Sequence, residues 1–364
     1  MKKLILLPIV LFMSLSCLIS LNCTFLHTEN NKPLSQSEAK TVSLSRILDK
    51  ADEMQYLKSL LILQNGKLIV EKYYNGGGSE QLHDIRSASK SILSAILGIA
   101  LKDGYIESID QKIIDFFPEY ISDDLDPIIY DLSIRHLITM KSGFKIAESS
   151  KTYARLYASS DWVAHILHLP FSEPPGIKFN YHSFNTHLLS ATLTKATGMS
   201  TLEYARSALF EPLGISTVQW EQDPKGYYIG GWGLYLNARA MLKFGTLYLN
   251  RGMFEGISII PADWVEWSTS PSTGLIGTYY SGWNQSYCYG FLWWIKRVSE
   301  SIDIPFAMGH GGQRIAFIPD AKAVLITQAE PDPKPFISFK RHRAVDSLLF
   351  DDVADYLIRS YKIE

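Results

Sequence analysis

Two β-rich runs, residues 60–63 and 67–73, flank Gln64-Asn65-Gly66, and Asn-Gly between apolar runs predicts a tight hairpin. Gly76-Gly77-Gly78 breaks that pattern. It leads into Ser91-Ile92-Leu93-Ser94-Ala95-Ile96-Leu97-Gly98-Ile99-Ala100, which is apolar nearly all round and predicts a buried helix. From Lys102 to Asp223 the pattern is mainly helices and loops, with 134–138 and 186–197 as helical pieces and Pro174-Pro175-Gly176 as a loop. Asn237 is a good N-cap for a helix over 238–249, which Arg251-Gly252 closes. Strand patterns return at 289–295, 315–318 and 324–327, the last two joined by the turn Pro319-Asp320-Ala321-Lys322. Residues 345–358 predict an amphipathic helix that packs Val345, Leu348, Leu349 and Val353 on the sheet. Strands at both ends with helices between them predict one sheet built from N- and C-terminal segments, an α/β (α+β) fold with an inserted, mainly helical lobe. An active site would lie in the cleft between sheet and lobe.

The N-terminal pattern is different. Met1-Lys2-Lys3 followed by an uncharged apolar stretch from Leu4 to Leu21 has the basic start and apolar core of a secretory signal, and is nearly long enough to anchor instead. Cys17 and Cys23 stand where a bacterial lipoprotein carries its lipidated cysteine, with Ser14-Leu15-Ser16-Cys17 an imperfect lipobox. Residues 1–25 therefore read as a signal peptide or lipoprotein or membrane anchor, 26–41 as a polar tether, and 42–364 as the folded domain. The expectation is an exported protein, periplasmic or membrane-anchored.

Composition narrows the function classes. At 364 residues, 46% hydrophobic and 20% charged, the chain can build a large core. A net charge of −2 offers no basic excess for phosphate backbones, so no nucleic-acid partner is expected. Cys288 alone remains in the body of the chain, which leaves no intramolecular disulfide there. His165 and His168 share a helix face with Asp161, an ordinary surface arrangement that predicts no metal site.

The candidate chemistry begins at Ser87-Ala88-Ser89-Lys90, which puts a hydroxyl and an amine one turn apart at the start of the apolar helix. A serine hydroxyl needs a neighbour to take its proton, and a partly desolvated lysine can do so. The helix start adds a backbone N–H where an oxyanion would form. Read alone, Ser87 is equally an N-cap and Lys90 a solvated residue. Two further phrases stand out, Phe179-Asn180-Tyr181-His182-Ser183 and Gly309-His310-Gly311-Gly312-Gln313.

With these three in order, the chain resembles the serine β-lactamase and penicillin-binding-protein superfamily, in its branch of class C-like esterases, D-alanyl peptidases and 6-aminohexanoate-oligomer hydrolases. Ile134-Arg135-His136-Leu137, Ser142-Gly143-Phe144, Glu211-Pro212-Leu213-Gly214 and the run 243–250 also look like that branch. The resemblance runs from about Lys58 to the end. It implies a β-lactamase/transpeptidase-like fold, an antiparallel sheet flanked by N- and C-terminal helices. It also implies a cofactor-free serine hydrolase acting on a small ester, amide or peptide, with Ser87 as nucleophile and Lys90 and Tyr181 as proton-transfer groups. Tyr181 otherwise reads as a packed aromatic at the cleft edge. Ser183 stands where many relatives have Asn, either orienting the substrate amide or the lysine, or capping the next helix. His310, in a motif that lies on an edge strand in the family, replaces the lysine of true β-lactamases and weakens the case for carboxylated β-lactams. Gly311 and Gly312 permit close backbone approach, and the N–H of Gln313 would join that of Ser87 in the oxyanion hole; a glycine-rich turn entering a strand, which needs no ligand, is the alternative. The alternatives are a β-lactamase or D-alanyl-D-alanine peptidase, or a binding or sensor domain that acylates without turnover. Among the aromatic residues Tyr279, Tyr280, Trp283, Tyr287, Tyr289, Phe291, Trp293 and Trp294, Phe291 and Trp293 read as core, and those in the loop before the strand as walls of an acyl pocket.

Overall fold

Asn65 and Gly66 both adopt left-handed backbone, φ 49° and 75°. That is the type I′ geometry whose twist suits the strands it joins, β1 (Leu57–Gln64) and β2 (Lys67–Tyr73). The computed structural model describes residues 43–146, 149–274, 276, 287–299 and 301–361. Tyr279, Tyr280 and Trp283 lie outside these, as do Cys17, Cys23 and the whole N-terminal stretch through residue 42.

The short strands β3 (His83–Asp84), β4 (Gln219–Trp220) and β5 (Leu234–Leu236) make a small sheet in the order β3-β5-β4, and β6 (Met253–Phe254) pairs with β7 (Ile257–Ser258). The main sheet adds β8 (Tyr287–Tyr289), β9 (Trp294–Arg297), β10 (Asp303–Gly309), β11 (Gln313–Ile318) and β12 (Ala323–Ala329) to the first hairpin. Its order is β2-β1-β12-β11-β10-β9-β8, antiparallel throughout. Register is set where the chain ends meet, with Leu61 opposite Ile326 and Ile62 opposite Leu325, all four buried.

Helices complete the architecture: α1 (Leu44–Asp52), α2 (Ser89–Lys102), α3 (Ile134–Ile138), α4 (Ser150–Ala158), α5 (Trp162–Leu167), α6 (Ser183–Thr197), α7 (Thr201–Ala205), α8 (Ala238–Leu249), α9 (Ala262–Thr269), α10 (Pro335–Asp346) and α11 (Ala354–Tyr361). The inserted lobe is α3 to α7, helical as its periodicity predicts. Asn237 caps α8, its side chain accepting from the Ala240 N–H at 2.8 Å. The C-terminal helical run is longer than the pattern indicated, starting at Pro335 and passing through a π-helical stretch, Ser347–Val353, where Leu348, Leu349, Phe350 and Val353 are buried. The extra residue per turn there keeps consecutive apolar side chains inward.

Two expectations are corrected. The apolar run 289–295 is not one strand but a hairpin, in which Tyr289 pairs with Trp294 and the Gly290 N–H donates to the Trp293 carbonyl at 2.9 Å. Leu292 turns at φ 62°, with its N–H on the Ile138 carbonyl and its carbonyl accepting from Ser91 Oγ, so contacts with α3 and α2 hold the reversal. Phe291 and Trp293 are buried as the pattern indicated, Trp293 against Phe244 and Tyr248. The phrase His310-Gly311-Gly312 is not on an edge strand. It forms the turn between β10 and β11, both interior strands.

Candidate active site

The position of Ser87 is built from a strained turn. Arg86 adopts φ 53°, a conformation that costs a non-glycine residue about 1 kcal/mol or more. Asp84 compensates: its Oδ1 accepts from the Arg86 N–H at 2.7 Å and from the Gly233 N–H at 3.2 Å, while Oδ2 pairs with the guanidinium at 3.2 Å. Burial raises the Asp84 pKa, with Arg86 opposing. Strands β3 and β5 hold this aspartate in place, and the chain leaves the turn into a 3₁₀ segment, Arg86–Ala88, that runs on as α2.

α2 is buried along almost its whole length, Lys90 included at 1% exposure. Its Nζ lies 3.0 Å from Ser87 Oγ, 2.9 Å from Ser183 Oγ and 2.9 Å from the Gly231 carbonyl. Three N–H groups thus meet two hydroxyls and one carbonyl, and either hydroxyl can reverse its role toward a neutral amine. The same Nζ stands 5.1 Å from the centre of the Tyr181 ring, which is itself buried. Ser183 is the first residue of α6, one turn earlier than the periodicity suggested, and spends its hydroxyl on Lys90. The cap position is His182, whose side chain makes no capping bond. Ser183 is therefore not the cap of α6.

His182 is fully buried between Phe144 and Phe184, with Nε2 3.3 Å from Ser142 Oγ and Nδ1 without a hydrogen-bond partner among the described residues. Burial first, and the Lys90 charge second, push its pKa down to about 3, so the ring is neutral. Tyr181 continues into an aromatic wall, 5.4 Å from Trp294 and 6.0 Å from Tyr289, with Phe179 5.2 Å from Tyr289.

The third phrase sits beside the first: β10 packs on the Arg86–Ala88 segment, and a Cβ on Gly309 would fall 2.1 Å from the Ile85 carbonyl. His310 keeps exposed surface, and its Nε2 stands 2.8 Å from Ser338 Oγ on α10. Partial desolvation of the ring, with Arg86 and Arg314 nearby, lowers its pKa. The two glycines meet a packing demand of their own. Gly311 and Gly312 have φ 86° and 114°, and a Cβ would strike Pro331 at 2.6 Å or Val345 at 2.9 Å. They let the C-terminal segment close over the back of the turn. The Gln313 side chain is buried and bonds both backbone groups of Ala329.

The family described as Beta-lactamase matches residues 54–346, which takes in all three phrases. The chain belongs to the beta-lactamase family. Members of this family are serine hydrolases, of β-lactamase, amidohydrolase and esterase types. A curated relative, the 6-aminohexanoate-dimer hydrolase of Paenarthrobacter ureafaciens, is 23% identical over 226 residues, 57% of this chain and 56% of that protein. The chain therefore spans just over half of that relative's length. Among solved structures, a Bacillus anthracis protein with the provisional name 6-aminohexanoate-dimer hydrolase superposes with a TM-score of 0.70 at 20% identity, covering 88% of this chain and 82% of that one. The octameric penicillin-binding protein homologue of Pyrococcus abyssi gives 0.64 at 19% identity, with 84% and 76% covered.

Within the beta-lactamase fold, residues not anticipated from sequence also shape the site. Asp84 carries no motif. Gly231 lies in Gly230-Gly231-Trp232-Gly233, a glycine-dense run that was itself a signal, since a Cβ on Gly231 would strike Ser183 at 2.6 Å. Asp161 and His168 are structural: Asp161 caps α5 by accepting from the Ala164 N–H, and His168 Nδ1 contacts the Ala164 carbonyl.

Proposed function

We propose that this hydrolase cleaves an ester or amide through an acyl-enzyme on Ser87. The 3.0 Å contact between Ser87 Oγ and Lys90 Nζ, with the Tyr181 ring 5.1 Å from that Nζ, carries the reading. Ser87 Oγ attacks the acyl carbonyl while its proton passes to the Lys90 amine, with Tyr181 sharing the proton. The backbone N–H groups of Ser87 and Gln313 hold the oxyanion, and Tyr181 delivers the proton to the leaving oxygen or nitrogen. Water then attacks the ester so formed, and the same groups act in reverse.

The substrate we favour is a short amide or ester without a β-lactam carboxylate. His310 stands where a lysine would meet that carboxylate, and the lowered pKa leaves it neutral near pH 7. The name of the curated relative, a 6-aminohexanoate-dimer hydrolase, points the same way. Ser87→Ala is expected to lower p-nitrophenyl ester hydrolysis at least about 10³-fold and to abolish labelling by a serine-directed phosphonate. Retention of both activities removes Ser87 from the mechanism. Across p-nitrophenyl ester, 6-aminohexanoate dimer and nitrocefin, nitrocefin is expected to turn over least. One stoichiometric acylation with no steady state would favour a sensor.

A further inference from the structure

A buried polar cluster stands behind the third-motif turn. Arg314 on β11 is fully buried, and its Nη1 donates to the carbonyls of Gly309 at 2.9 Å and Gln313 at 2.8 Å, the two residues that flank His310-Gly311-Gly312. Nε donates to Asp346 Oδ1 at 2.8 Å, and Nη2 lies 2.6 Å from both Asp346 Oδ1 and His342 Nε2. Ser338, His342 and Asp346 are spaced four apart on α10, which puts them on one face of the helix, and all three are buried. Ser338 is the residue that holds His310 Nε2. Because a guanidinium only donates, His342 Nε2 must accept, so its ring is neutral. Burial, then Arg314 and His310, hold its pKa well below the ordinary value. Thr327 Oγ1 donates to the Gly312 carbonyl at 2.7 Å, so the carbonyls of 309, 312 and 313 are all held from behind.

A buried ion pair contributes little net stability compared with apolar residues of similar size. A rigid fork of five donors is, however, well suited to fixing two carbonyls at once. We propose that Arg314, held by Asp346 and His342 of α10, is a positioning residue that fixes the third-motif turn through the Gly309 and Gln313 carbonyls and so aims the Gln313 N–H at the acyl carbonyl. The inference rests on the Ser87 reading above.

Arg314→Lys keeps the charge and loses the fork. Sites are counted by phosphonate titration of Ser87, so that unfolded protein is excluded, and kcat and KM are measured on a p-nitrophenyl ester. Affinity for an aryl boronic acid, whose tetrahedral adduct occupies the oxyanion position, is measured alongside. The expected result is kcat per titrated site down about tenfold or more, KM within about threefold, and boronate affinity down in proportion. A kcat per site within about twofold of wild type, or a loss carried wholly by KM, overturns the proposal. Should Arg314→Lys not fold, His342→Leu and His342→Gln carry the test. Leu removes the acceptor and should lower kcat per site, while Gln keeps one and should restore most of it; equal kcat in both overturns the proposal. A wild type that the phosphonate does not label at Ser87 overturns the nucleophile reading and this inference with it. A labelled wild type with indifferent variants overturns only the positioning role.

Discussion

Lys90 illustrates what a single residue's surroundings decide. Its spacing from Ser87 is local, three residues along one helical turn, so that contact was legible in the tetrapeptide. Its other two acceptors, Ser183 Oγ and the Gly231 carbonyl, come from segments 93 and 141 residues away. Ser183 was ambiguous for that reason: a hydroxyl before a helix can cap or reach sideways, and only the distance to Nζ separates the two. His182 gives a residue-scale prediction. The folded state holds it neutral down to about pH 3, whereas the unfolded chain protonates near its usual pKa of about 6.5. Between those values the unfolded state binds the extra proton, so stability is full above about pH 6.5 and is lost as pH falls. One such group contributes a slope of about 1.4 kcal/mol per pH unit. Urea unfolding between pH 6 and 4 should therefore be steeply pH-dependent, and His182→Gln should flatten the slope by about that amount. An unchanged slope would mean the ring is already protonated in the fold.

At the scale of elements, helices and hairpins with local signals emerged as their patterns indicated, as the Asn65-Gly66 turn and the Asn237 cap show. The run 289–295 did not, because Gly290 is its one turn residue and the left-handed residue of the reversal is Leu292, an apolar side chain. The fold-back depends on Leu292 meeting α2 and α3. Helix α2 likewise hides a tertiary demand. Gly98 sits mid-helix, where alanine is favoured by about 1 kcal/mol on propensity. A Cβ there would lie 2.4 to 2.6 Å from the Trp264 ring, and overpacking costs about 1–3 kcal/mol. The clash outweighs the propensity, so Gly98→Ala is expected to lower the melting temperature rather than raise it, as calorimetry would show. A higher melting temperature would mean that Trp264 moves freely.

At the scale of the whole molecule, the sheet joins the first and last parts of the domain through β1 and β12. Nothing on either side of that seam folds around a separate core, so unfolding should be one cooperative event. Leu61→Ala on β1 removes a fully buried side chain opposite Ile326 and should cost about 2–5 kcal/mol. Hydrolase activity and the calorimetric transition should then fall together; activity surviving past the transition would show that the lobe and sheet melt separately.

Amphipathic period, turn chemistry and the order of three short phrases by themselves determined the fold class and the inserted helical lobe, and singled out Ser87, Lys90 and Tyr181, which the structure brings together. Those features depend on neighbours within a turn or two, or on phrases that become specific only when taken together in their order. Tertiary structure alone decided what surrounds them: Asp84 under the strained Arg86, the Gly231 carbonyl on Lys90, Pro331 and Val345 over the glycines, and the α10 face behind the turn. Each of these is a contact between segments far apart in the chain, where one residue's chemistry is ordinary until packing brings its partner within hydrogen-bond or van der Waals reach.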